Sequence, residues 1–438
     1  MKSMSKRMIA AMAMVSAGAM ALAGCGGGTA AGDKPTLSSD PVTISIYWWG
    51  GDARVRATEE AVQKFEEANP NIKVDTRYAD WSGYWDKLNT ESAGGNAADV
   101  IQMGDMYLAS YASQGSLYDL SKVSDYLNLD TMDAALKDTG TYDGTQYAAP
   151  IASTPFGVLV NMDLLDQLGL ELPDTSSWTW DDFEAFAKQI REKSNGELVA
   201  NGLMNNAFSL QLWAAQHNAQ LFDGNKIIIP EDVLTSYMAM AKDWTTGDQI
   251  AGTADFISEA GTATTDQSPF AKKQQVMQFS QLTQATVYAK AAGTENVKLV
   301  PLPNDGQNPK YAFVKPSMYW TISSKSEHPA EAAKLIDFLI NDQSAGKILG
   351  TERGIPANND IRKSLADSAT GLDKAVLEFQ DEHADQMGEA PALIPNGASS
   401  IDQVIQRHQQ NVLFGSETPQ EAAKGFVSDL QNEINTAG

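Results

Sequence analysis

Trp48 and Trp49 close a β-like run, VTISIYWW, and Gly50 and Gly51 follow at once. Neighbouring strand side chains point to opposite faces, so the two indoles cannot share one role. One can fill a core while the other faces outward as a flat apolar plate; Tyr47 reads as core. Such a plate suits a ligand with an apolar ring face and polar edges, because rigid aromatic area binds at low entropy cost. The two glycines allow close backbone approach. Asp80 and Trp81 recur after a second such run, and Gln102 and Asp105 recur after a third. Carboxylates and amides accept from and donate to vicinal hydroxyls. Three strand ends thus offer one chemistry, the recognition of a polyhydroxylated ring. Asp105 is equally placed to cap a helix.

The elements that must position these residues are legible in the hydrophobic pattern. Val42 to Trp48 and Ile72 to Tyr78 alternate as strands, and "ADVIQM" is a short buried strand. Between them, 54–68 places Ala61, Val62, Phe65 and Ala68 on one helical face, and Asn69-Pro70 stops it. Helices are also expected over 81–92 and 105–114. Strands alternating with helices imply parallel βαβ units and an α/β fold, in which ligands meet the carboxyl ends of the strands. Further on, Thr179 and Asp182 in "SSWTWDDFEAFAKQI" form a capping-box pattern ahead of Phe183, Phe186, Ala187 and Ile190. Residues 201–246 read as mainly helical, and 253–268 as a polar loop. Pro329 opens another helix at its preferred position. The end of the chain, 373–435, is mostly amphipathic helix.

The N-terminus has the three-part layout of a secretory signal over residues 1–24: Lys2, Lys6 and Arg7, then a small and apolar run, then Leu22-Ala23-Gly24. The run is shorter than the roughly 20 residues of a membrane span. Cys25, the only cysteine, completes what resembles a lipobox, so it is expected to carry lipid. Residues 25–41, rich in Gly, Ser, Thr and Pro, read as a flexible tether. An extracytoplasmic, lipid-anchored body follows from this. With 32 Lys+Arg against 56 Asp+Glu, nucleic acid is excluded as a partner because its phosphates would be repelled.

No enzyme motif is complete. Ser344 to Lys347 matches S-x-x-K without any K-T-G, and Gly346-Lys347 is followed by Ile348, so it is no phosphate loop. The four histidines are scattered without metal spacing, and neither a metal nor a cofactor is expected. A glycoside hydrolase needs only two carboxylates and stays open as an alternative. A binding protein for a polyamine or another non-sugar solute is a second.

From Val42 onward the chain resembles the family 1 extracellular solute-binding proteins. The resemblance rests on the tryptophan-glycine loop, the helix "EEAVQKFEEANPNIKV", "ADVIQMGDMYLASYASQGSLYDLS", the long stretch from "YDGTQYAAPIASTPFGVLVNMDLL" to "TWDDFEAFAK", "EAAKLIDFLINDQSAGKI" and "TERGIPAN", all in order. It implies a type II periplasmic-binding-protein-like fold with two discontinuous lobes joined by a hinge: 42–149 plus 281–321, and 150–280 plus 322–438. It also implies a sugar held in the cleft without chemistry. The partners would be the permease subunits of an ABC importer and the membrane reached through the lipid anchor, with the binding protein itself a monomer. From the second lobe it adds Asn205, Phe208 and Trp213 as ligand candidates. Ser317, Tyr319 and Trp320 come from the second crossing, where the two aromatics should not both face the ligand. Arg353 and Gly354 come from the "TERGIP" loop.

Overall fold

The computed structural model describes residues 34–261 and 263–437. The expected signal, Cys25 and the start of the tether lie outside the described residues. Among those described, nine strands build two main sheets: β1 (Val42–Trp49), β2 (Ile72–Ala79), β3 (Val100–Met103), β4 (Ala148–Thr154), β5 (Phe156–Asn161), β6 (Met277–Gln281), β7 (Val297–Val300), β8 (Lys315–Ile322) and β9 (Ile355–Pro356). Six of them form one sheet in the order β9-β4-β8-β3-β1-β2, and β6-β5-β7 form the other. Both lie within a single compact unit that begins at Pro35.

In the larger sheet β1 runs parallel to β2 and β3, as βαβ connections demand, whereas β8 and β9 enter antiparallel. The connecting helices are α1 (Asp52–Ala68), α2 (Trp81–Gly94) and α3 (Asp105–Ser113). α1 buries Val55, Thr58, Ala61, Val62 and Phe65, the helical-period stripe that covers the sheet. The smaller sheet is antiparallel. Successive residues of β5 serve different cores: Val158 and Val160 face one cluster and Leu159 another, as strand alternation requires. Around it stand α4 (Trp180–Lys193), α5 (Ala207–Gln216) and α6 (Ile401–Leu413). The capping box at the start of α4 is formed in full, with Thr179 Oγ1 accepting from Asp182 N at 3.1 Å and Asp182 Oδ2 from Thr179 N at 3.0 Å.

The chain leaves one sheet for the other at Pro155, between β4 and β5. The division differs from the expected one after that point. β7, expected with the first lobe, hydrogen-bonds to β5, and Val300 and Leu302 sit in the second core. The chain rejoins the larger sheet only at Lys315. Because β8 lies between β3 and β4, the helix after it, Pro329–Asn341, covers the same sheet and gives Ala332, Leu335, Ile336 and Leu339 to the first core. The expected polar loop at 253–268 also contains a helix, Ala254–Gly261, anchored by buried Ile257.

Candidate functional site

A cavity of about 450 Å³ has walls from both sheets and their helices. From the first side come Arg54, Asp105 and Ser317, and the turn Thr351–Gly354; from the second come Phe208, Gln281, Thr283 and Asp402. Local structure explains each placement. Asp105 opens α3 directly after β3. Lys315 opens β8. Phe208 sits in the first turn of α5, whose N-cap is Asn206 with its side chain accepting from Ser209 N at 2.9 Å. Thr154 and Thr283 meet hydroxyl to hydroxyl at 2.9 Å beside the crossing.

Charges of both signs alternate across this cavity. Lys315 Nζ reaches Asp105 Oδ2 at 2.6 Å and lies 5.4 Å from the Phe208 ring centre. Asp402 Oδ1 accepts from the Ala207 N–H at 2.7 Å. Burial lifts the Asp402 carboxyl above the ordinary aspartate value, which that hydrogen bond and Lys315 oppose and Asp105 reinforces. On the opposite wall Arg54 donates to the carbonyls of Trp49 (3.1 Å) and Glu352 (3.0 Å) and pairs with the Glu352 carboxylate at 3.6 Å. Gly50 makes this possible: a Cβ there would stand 2.4 Å from Arg54 Cδ. The glycines after the two tryptophans thus admit an arginine.

Arg353 is a buried cation, only 5 % exposed. It donates to Gln102 Oε1 and Thr58 Oγ1, each at 2.9 Å, and its guanidinium lies 5.2 Å from the Trp320 ring centre. Desolvation, with Arg54 nearby, pulls its pKa well down. It holds the turn of Thr351–Gly354 against the first sheet, and Ser317 Oγ donates to its carbonyl. Gly354, at φ +114°, passes so close to Ser153 that a Cβ would be 2.8 Å from its carbonyl oxygen. Only glycine fits there.

Of the residues expected at the site, the cavity brings together Asp105, Phe208, Ser317, Arg353 and Gly354. Others are corrected. Trp48 is fully buried, with its ring 5.8 Å from that of Tyr78. Gln102 is sealed inside, between Arg353 and the Trp49 carbonyl. Trp320 lies beneath Arg353, and Tyr319 donates its hydroxyl to the Thr139 carbonyl at 3.0 Å. Trp213 is helix core, with Nε1 bonded to Val233 O and Ser236 Oγ. These side chains fall on the inward faces of their elements, which adjacent sequence positions alone do not reveal. Asn205 lines a separate pocket beside Gln409 and Gln410. Asp80 caps α2, accepting from Gly83 N at 2.8 Å. Trp49 is 9 % exposed and stands edge to face with Trp81, which remains 45 % exposed. Neither lines the cavity. Sequence reasoning missed Arg54, Lys315 and Asp402. Arg54 comes one helical turn later after its strand than Asp105 does, so only a wider reading of the strand-end rule could have found it. Asp402 meets α5 across 195 positions of sequence and gave no local signal.

Two α/β halves, joined by crossing strands and lining one polar cavity, define a two-lobe binding-protein fold. Residues 60–371 match the family described as bacterial extracellular solute-binding protein, and the chain belongs to it. A solved family 1 extracellular solute-binding protein from Alicyclobacillus acidocaldarius is similar with a TM-score of 0.73 and 26% identity, over 91% of this chain and 99% of that one. The diacetylchitobiose binding protein DasA of Streptomyces coelicolor is 30% identical over 199 residues, 45% of each chain. A maltooligosaccharide ABC transporter solute-binding lipoprotein of Streptococcus pneumoniae is 23% identical over 98% of this chain and 96% of its own. The chain spans 36% and 45% of the length of the first two curated relatives it matches.

Proposed function

We propose that this protein captures an oligosaccharide in the cavity between its two halves and passes it, unaltered, to the permease of an ABC importer. In this reading it works outside the cell membrane, held there by lipid on Cys25. The observation that carries the reading is the composition of the cavity wall. The wall carries hydroxyls, amides and opposed charges that can each donate to or accept from sugar hydroxyls, while Phe208, 3 % exposed and packed against Phe156 and Phe313, gives it an apolar backing. The names of the relatives, which include binders of diacetylchitobiose and maltooligosaccharide, point the same way. A polyamine would need an excess of carboxylates, but Asp105, Glu352 and Asp402 are matched by Arg54, Lys315 and Arg353. Closure of the halves would be driven only by the ligand's preference for the closed state.

The test is a thermal-shift screen of the full chain against mono- and oligosaccharides, since a ligand of the folded state raises the melting temperature. Phe208→Ala should weaken a responding sugar about tenfold, a difference of 1.4 kcal/mol. Asp105→Asn should weaken it as well, with greater sensitivity to salt because Lys315 loses its partner. Full responses in both variants would remove the site from this cavity. New reducing ends after incubation with the sugar would favour a hydrolase instead.

A further inference from the structure

Arg353 carries a charge that the groups around it do not balance. Its hydrogen bonds go to neutral oxygens, Gln102 Oε1 and Thr58 Oγ1. The neighbouring carboxylate, Glu352, pairs with Arg54 at 3.6 Å, and among the described residues Arg353 forms no ion pair. Two guanidinium groups thus share one carboxylate, and Arg54 repels Arg353. A further donor of Arg353, Nη1, is buried and has no partner among the described residues. Buried charges are ordinarily paired, because a cation taken out of water alone costs far more than an unmet N–H.

Beside this guanidinium lies a small space of about 30 Å³. Its walls come from Ile151 and Ala152 of β4, from the helices Pro329–Asn341 and Gln343–Leu349, and from Ile361 beyond β9. Arg353 supplies the only polar side chain in that wall. Gln102 and Thr58, which take Nε and Nη2, do not line it, so Nη1 is the donor left to face it. The space takes one or two particles the size of water, at about 10–15 Å³ each. A water there would want about two to four polar partners, and the side chains offer one. It would also leave the charge unbalanced. A halide ion meets both conditions. It is little larger than water, accepts from an N–H, tolerates aliphatic C–H contacts and brings the missing negative charge. A carboxylate, phosphate or sulfate is too large for the space.

We propose that Arg353 holds a halide ion, chloride in ordinary media, in this space, and that the ion fixes the turn Thr351–Gly354 at the edge of the cleft. The ion site does not depend on which solute the cleft takes, so it stands or falls apart from the carbohydrate reading.

The experiment is thermal denaturation of the full chain in sodium chloride, bromide, fluoride and gluconate, all at one ionic strength. A ligand of the folded state raises the melting temperature with its concentration. Chloride and bromide should raise it by about 2 °C or more over a hundredfold rise in concentration. Gluconate, too large, and fluoride, too tightly hydrated, should not. Arg353→Gln removes the charge and should abolish the chloride response. Leu349→Phe fills the space from a half-buried position and should abolish it while Arg353 keeps its other hydrogen bonds. A crystal grown in bromide should show an anomalous peak in contact with Arg353 Nη1. Identical melting curves in all four salts, a chloride response that persists in both variants, or a bromide crystal with no peak at Arg353 overturns the proposal. If Arg353→Gln does not fold, Leu349→Phe and the bromide crystal decide it.

Discussion

The two halves each gather a cluster of tryptophans, and they use them differently. In the first half Trp49, Trp81 and Trp85 meet at 5.1 to 5.5 Å with Tyr84 and Tyr107 packed among them, and the cluster breaks the surface at Trp81. In the second half Trp180 touches Trp213, Trp244, Phe183 and Phe279, and every one of these rings is buried. Composition does not separate the clusters; position in the fold does. The first lies where parallel strands end and a helix begins, so its outermost ring has no further layer to cover it. The second lies between helices and the face of a sheet, so it is sealed. An aromatic cluster becomes available to a ligand through where its last ring falls.

The largest test of this contrast is Trp180→Ala. The indole is buried and its Nε1 donates to Gln216 Oε1 at 3.0 Å. Loss of a buried aromatic of this size costs about 3–5 kcal/mol, and Gln216 Oε1 loses its donor while Nε2 still donates to the Pro303 carbonyl at 2.7 Å. The denaturation midpoint in guanidinium should fall accordingly. A loss below about 1 kcal/mol would mean that the second cluster is no better sealed than the first.

Trp81→Ala should act the other way. Half of the ring is already in solvent, so the stability loss should stay within about 1–2 kcal/mol. If Trp81 forms an outer rim for long sugars, affinity for a hexasaccharide falls while the melting temperature of the free protein hardly moves. Unchanged affinity would leave Trp81 as the outer edge of a wall and nothing more.

The legible part of the molecule was the part written in short-range pattern. The stripe of α1, the stop at Asn69-Pro70, the capping box of α4 and the parallel strands β1 to β3 all follow from residues within a few positions of one another. So did Asp105, because the strand-end rule is local. The illegible part depends on distant contacts. Whether β7 joins the first or second sheet depends on which edge is free once β5 and β6 have paired. The inward turn of Trp48 and Trp320 depends on what covers each face of the larger sheet. Arg353 could be read as a cleft donor because nothing local shows that Gln102 and Thr58, 251 and 295 positions away, would take its hydrogen bonds.

The smallest effect expected concerns Asp402, the second half's counterpart to Asp105. Asp105 sits against Lys315, whereas Asp402 faces the first turn of α5. Helix starts favour a negative charge, yet burial wins here and lifts the carboxyl above the ordinary 3.8. The folded protein therefore holds this proton more tightly than the unfolded chain does. Its contribution to stability is fully present below 3.8 and is lost as pH rises through the higher folded value. Asp402→Asn keeps an oxygen to accept from Ala207 and removes the ionisation. Its melting temperature should match the parent's near pH 3.5 and exceed it slightly at pH 7, with the gap opening as Asp402 ionises. A parent that is instead the more stable form at pH 7 would show that the helix start and Lys315 outweigh burial, and the two aspartates would then differ in position but not in electrostatic character.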